Sequence, residues 1–343
     1  MVHRRQTIAA LTGAFVLLVL GPAALAGEDF VIGGVRVKSG SSGSGTLAVP
    51  AKAGVGTEIP FTVIHGAEKG PVLALVAGVH AYEYPPILAS YRLRNLIDAR
   101  TLRGTVLLVH IANLPSFKRR TIYYGPDDWK NLNRVFPGDL NGTLSQRIAA
   151  VLNAEVVRRA DVLVDMHCGD GNEALIPYTY WMITGDKAFD ARTRELALAF
   201  GIPHIIIDDT RGHDLKESKY LGNTAILQGK PAITTEAGFL GRVDEESVGR
   251  NVRGALSVMR HLGLIDGDPE PARDPVWIDK YEVVYAKHDG LFAPRVEMGW
   301  HVREGQVVGT ITDYLGDWKE DVRAPFTGIL LYIIGTPPCN AGE

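Results

Sequence analysis

Short apolar runs that alternate with amphipathic helical stretches constrain this chain more than any other feature. Residues 72–77, 106–111, 162–164, 205–207 and 232–234 are apolar in nearly every position and too short for helices. Strands buried on both faces read this way. After Ser145, Ile148, Val151, Leu152 and Val156 share one helical face while Arg147, Arg158 and Arg159 fall elsewhere. A later stretch repeats the pattern with Val248, Val252, Ala255, Leu256, Met259 and Leu262. Strand and helix alternating in this manner predict an α/β fold, a mostly parallel sheet flanked by helices, in which ligands gather beyond the carboxyl ends of the strands.

The pattern changes at both ends. Residues 39–45 read Ser-Gly-Ser-Ser-Gly-Ser-Gly, which predicts a flexible Gly/Ser-rich segment over 27–45. The main α/β unit is expected over 46–265. From 266 a Pro- and Gly-rich linker leads into short strand-like pieces punctuated by Gly299, Gly305, Gly309, Gly316 and Gly328, so 266–343 reads as a linker and a smaller all-β C-terminal domain.

The first residues obey a different logic. His3, Arg4 and Arg5 precede an apolar stretch from Ile8 to Leu20, and Ala24-Leu25-Ala26 supplies a small-x-small cleavage pattern. Residues 1–26 are therefore expected to be a signal peptide, and the protein to be exported, periplasmic or secreted, with no stable membrane insertion after cleavage. With 36 basic and 39 acidic residues dispersed along the chain, the net charge of −3 offers nothing sustained to attract nucleic acid. A small molecule or a peptide is the expected partner. Cys168 and Cys339 are too few to staple a fold of this length, so apolar packing has to hold it.

Chemistry-bearing residues cluster at the predicted strand ends. His80 and Glu83 follow the run at 72–77 and precede Pro85-Pro86, which are pre-set to open a helix. An imidazole and a carboxylate at that spacing suit Zn²⁺, which in catalytic sites takes three protein ligands and keeps a position open. His167 is the candidate third ligand, and strand alternation puts Asp165 on the same side, where it could orient the ring or only cap a neighbouring turn. Asn133 and Arg134, in Asn131-Leu-Asn-Arg-Val-Phe-Pro-Gly138, pair an amide with a guanidinium fork that matches a carboxylate. Glu236 closes the last buried run, where a carboxylate can accept and return a proton. Cys168 reads as a small buried filler, and Lys319 as a solvated turn residue.

In this order, HxxE at 80–83, NLNRVFPG at 131–138, VDMHCG at 164–169 and TTEAG at 234–238 resemble the succinylglutamate desuccinylase/aspartoacylase family, relatives of the zinc carboxypeptidases. The resemblance runs from about Phe61 to the C-terminal β-rich part. It implies a carboxypeptidase-like fold and one zinc ion on His80, Glu83 and His167. It further implies a substrate carboxylate on Asn133 and Arg134, with Glu236 as general base and acid. The implied activity is hydrolysis of an amide or ester bond in a small acylated compound such as an N-acyl amino acid.

Departures from the family pattern are Ala81, where Gly is common, and Ile122, near which relatives align an Arg that polarises the scissile carbonyl. Arg119 or Arg120 would have to take that role. A zinc carboxypeptidase acting on peptides or cell-wall stem peptides, and a non-catalytic exported binding protein on the same scaffold, remain the alternative readings.

Overall fold

The computed structural model describes residues 28–343; the expected signal peptide at 1–26 lies outside the described residues. Among the described residues no helix is long and apolar enough to cross a membrane.

Nine strands form the central sheet. In chain order they are β1 (Ser41–Lys52), β2 (Val55–His65), β3 (Glu68–Ala77), β4 (Arg103–Val109), β5 (Val162–His167), β6 (Tyr178–Met182), β7 (His204–Asp208), β8 (Ala232–Glu236) and β9 (Val276–Ile278). Across the sheet the order is β9-β7-β6-β8-β5-β3-β4-β2-β1. The central pairs β5–β3, β5–β8 and β3–β4 are parallel, as are β7–β6 and β7–β9, whereas β8–β6 and the β1–β2–β4 edge run antiparallel. The expected α/β architecture is therefore present as a mixed, mostly parallel sheet.

Alternation along β3 shows how the sheet separates its two cores. Leu73, Leu75 and Ala77 point into one apolar cluster, and Ala74 and Val76 into the other. Helices Tyr84–Leu96, Lys187–Ala199 and Glu245–His261 cover the first face, and Leu144–Leu152 and Leu221–Leu227 the second. Truncating a fully buried Leu75 to Ala would cost about 2–5 kcal/mol. Helix Glu245–His261 begins at Asp244, whose side chain accepts from Ser247 N at 2.9 Å, and it buries Val248, Val252, Ala255 and Met259 as its periodicity predicts.

The Ser/Gly-rich segment is not a flexible loop. Ser41–Lys52 pairs with Val55–His65 over its length, with Gly43 opposite Val63 and Gly45 opposite Phe61. The small residues serve close approach, because a Cβ on Gly45 would lie 2.5 Å from Val35 Cγ2 and one on Gly43 2.9 Å from Val37 Cγ2. Ser44 Oγ meets Thr62 Oγ1 at 2.8 Å. Arg147, expected off the apolar face, is also buried. Its guanidinium donates to the carbonyls of Pro50, Gly142 and Val55 at 3.0, 2.7 and 2.7 Å, tying helix Leu144–Leu152 to the β1–β2 hairpin.

Beyond His261 the chain first adds β9 to the edge of the large sheet, parallel to β7, before leaving it. The stretch expected to be linker and separate β unit therefore begins by completing the main sheet. The remaining strands are antiparallel: Gly290–Pro294, Val307–Thr312, Trp318–Arg323 and Pro338–Cys339 form a small sheet over its own apolar cluster. Tyr332–Ile334 reaches back and pairs with Glu173–Leu175 of the larger unit. Cys168 and Cys339 are both buried and free.

Candidate metal centre and active site

The sheet brings the sequence-predicted residues to one rim. His80 follows β3 after Gly78, a left-handed residue whose Cβ would press on Ile111 Cα at 3.0 Å. Glu83 stands at the N-terminal boundary of helix Tyr84–Leu96, with prolines in the first turn as the sequence suggests. Asp165 and His167 end β5. Glu236 ends β8, directly in register with His167. All lie at the carboxyl edge of the sheet, on the strand ends or in the segment that follows them.

Glu83 is the hub. His80 Nδ1 approaches its Oε1 and His167 Nδ1 its Oε2, each at 2.9 Å, and the imidazole centroids are 5.0 Å apart. One ligand atom from each of the three residues falls within 4.8 Å of the others. The remaining ring nitrogens are held from behind: His80 Nε2 by Asn131 Oδ1 at 2.9 Å, and His167 Nε2 by Asp165 Oδ1 at 3.0 Å. An acceptor on Nε2 puts the proton there and leaves the Nδ1 lone pair free for a metal. Asp165 thus orients the His167 ring rather than capping a turn. Two Nδ1 atoms and a carboxylate, buried and aimed at one point, fit a divalent ion of borderline softness such as Zn²⁺.

The electrostatics agree with that demand for a cation. Burial opposes the charged forms of His167 and His80, but the carboxylates of Asp165 and Glu83 for the former, and of Glu83 for the latter, outweigh it and raise both. Burial would also raise Glu83, yet the facing imidazoles hold it below the usual carboxylate range. Glu236 is pushed well above that range, first by burial and then by the charge of Glu83. Its Oε2 is enclosed without a hydrogen-bond partner. Asp170, fully buried beside the centre, is pushed up to about 7 by burial and then by Glu83.

Asn133 and Arg134 both line the cavity over the centre, which measures about 1160 Å³. Asn133 accepts the Leu221 N–H on Oδ1 at 2.9 Å, and its Nδ2 lies 3.3 Å from His167 Nε2. Arg134 is exposed. Its Nη1 donates to Asn133 O at 2.8 Å and its guanidinium carbon lies 4.7 Å from the Tyr220 ring centroid. Tyr123 and Glu173 contribute other walls, and Tyr332 of the C-terminal strands closes in from above.

Sequence reasoning missed Arg211. It lines the same cavity, lies 3.8 Å from the Tyr220 centroid and donates through Nε to buried Asp208. Arg134 and Arg211 are the guanidiniums of the cavity; Arg119 and Arg120 are exposed and outside it. No motif marks Arg211, because it sits in the loop after β7 and its relation to Tyr220 arises only on folding. Ala81 is 1% exposed and packs into the core cluster, so its methyl is accommodated without displacing His80 or Glu83.

Fold and site together define a carboxypeptidase-like α/β architecture whose rim carries a candidate metal site. The family of the succinylglutamate desuccinylase/aspartoacylase catalytic domain matches residues 69–262. The chain is 33% identical over 281 residues to the N-alpha-acetyl-L-2,4-diaminobutyric acid deacetylase of Halomonas elongata, covering 79% of this chain and 80% of that one. The crystal structure of a succinylglutamate desuccinylase/aspartoacylase from Rhodobacter sphaeroides superposes with a TM-score of 0.78 at 29% identity, over 88% of this chain and 93% of the other. The product-bound ectoine utilization protein EutE (DoeB) from Ruegeria pomeroyi gives a TM-score of 0.78 at 26% identity, with the same coverage. The chain belongs to the succinylglutamate desuccinylase/aspartoacylase family, and it is a hydrolase of the deacylase class.

Proposed function

We propose that this protein is an exported zinc-dependent deacylase that cleaves the amide bond of a small N-acyl amino acid. The observation that carries this reading is the convergence of His80 Nδ1 and His167 Nδ1 on Glu83, with Glu236 in register beside His167. The named activity of the Halomonas relative, removal of an acetyl group from a diamino acid, supports the choice of substrate class.

His80, Glu83 and His167 would hold the ion. When bound, zinc polarises an acyl carbonyl and acidifies a water molecule. Glu236, with Oε2 unpartnered and its proton affinity raised by burial, takes a proton from the attacking water at that oxygen and returns it to the departing amine nitrogen. Arg134 offers the substrate carboxylate two parallel N–H donors, and Asn133, whose Oδ1 is committed to Leu221 N, adds an amide donor.

The test is direct: purify the protein, count zinc per chain, and assay N-acetyl amino acids, N-acetyl-diaminobutyrate among them, against longer peptides. Zinc near one per chain with turnover of the acyl amino acids supports the reading; peptide trimming without deacylation, or no zinc, defeats it. Export rests on residues 1–26, and N-terminal sequencing of protein from the producing cells checks it, with a mature end after Ala26 expected.

A further inference from the structure

The two histidines of the centre are backed differently. His167 donates from Nε2 to a carboxylate, Asp165, whereas His80 donates to the neutral amide oxygen of Asn131. That oxygen has a second duty. Asn131 Oδ1 also accepts the backbone N–H of Asn133 at 2.9 Å, capping the short 3₁₀ turn Leu132–Arg134 that carries both carboxylate-binding residues. The turn is fastened again by the Arg134 N–H donating to Asn131 O at 3.1 Å.

Resting on the zinc deacylase reading above, we propose that Asn131 is a positioning residue that couples the metal to the substrate anchor. A carbonyl-type oxygen has two lone pairs, and here both are used: one fixes the tautomer and plane of His80, the other sets the turn that aims Asn133 and Arg134. Any shift of His80 on loading the ion is felt by the turn through a single shared atom. The reverse also holds, since coupling between two binding events is reciprocal. Because the amide is neutral, His80 gains less electron donation than His167 and is the weaker of the two ligands.

Two substitutions test this. Asn131→Leu removes both acceptor functions while keeping the branching and number of side-chain heavy atoms, and Asn131→Asp keeps both while adding charge. Zinc affinity is measured by competition with a chromophoric chelator, KM and kcat are taken at saturating zinc, and thermal melting of the apo forms checks folding.

Asn131→Leu is expected to bind zinc about 10–100-fold more weakly. It should also raise KM several-fold even when fully loaded, a change that loss of metal alone would not produce. Asn131→Asp is expected to match or exceed wild-type zinc affinity with near-wild-type KM. Wild-type zinc affinity and KM in Asn131→Leu would overturn the proposal. If that variant does not fold, zinc binding by Asn131→Asp weaker than wild type overturns it instead. Absence of stoichiometric zinc from the wild type is a separate outcome that sinks the deacylase reading and this inference with it.

Discussion

Glu83 and His167 meet at 2.9 Å, carboxylate Oε2 against imidazole Nδ1, with both side chains 2% exposed. A buried anion of this kind, shared by two imidazoles, is stable without metal only if a proton is trapped between the groups. Loading zinc should therefore release protons and stabilise the fold by mass action. Removing metal with a chelator is expected to abolish activity and lower Tm by several degrees, both restored by zinc. His167→Ala should reduce bound zinc to a small fraction of one per chain, measured by elemental analysis.

Glu236→Gln preserves shape but cannot accept a proton at Oε2. The expected result is a loss of kcat of about 10²–10⁴-fold with KM and zinc content near wild type. An equal fall in zinc content would mean that Glu236 acts as a ligand rather than as a base.

Arg134 lies at the cavity wall beside Tyr220 and is not paired with any carboxylate among the described residues. Charge-assisted bonds to a substrate carboxylate are worth about 1.5–3 kcal/mol, so Arg134→Ala should raise KM roughly 10–100-fold for carboxylate substrates. Carboxamide analogues should show little change. Equal losses on both substrates would assign the role to another residue, Arg211 first among them.

His110, 3% exposed, hydrogen-bonds Thr62 Oγ1 at 2.9 Å and Ser90 Oγ at 2.8 Å and stacks on Tyr91 at 4.3 Å. Burial, with a smaller push from Arg94, depresses its pKa from 6.5 to about 4. Between those values the unfolded chain binds a proton that the folded one refuses, so stability is complete above pH 6.5 and is lost as pH falls toward 4. The loss amounts to about 3 kcal/mol. Denaturant melts from pH 7 to 4 should show it, and His110→Gln should flatten that slope.

Much of the site was legible because ligand chemistry needs particular side chains at strand ends, and strand ends are marked by where apolar runs stop. His80, Glu83 and His167 are marked that way and bring one ligand atom each within 4.8 Å of the others, with Glu236 in register beside His167. What escaped has physical reasons. Ser41–Gly45 looks flexible until Val35 and Val37 are known to press on it, which only tertiary packing reveals. Arg147 looks solvent-facing until three carbonyls from the β1–β2 hairpin and its own helix start surround it. Arg211 carries no local signal, since Tyr220 and Asp208 give it meaning only in three dimensions.

The pairing of Tyr332–Ile334 with Glu173–Leu175 has an evolutionary consequence. The tail supplies none of the candidate metal-binding residues, yet it is stitched to the segment that follows Asp170 and lines the cavity through Tyr332. Substitutions in the tail can therefore remodel which compounds enter while the hydrolytic apparatus stays untouched, letting selectivity and reactivity diversify along separate stretches of one gene.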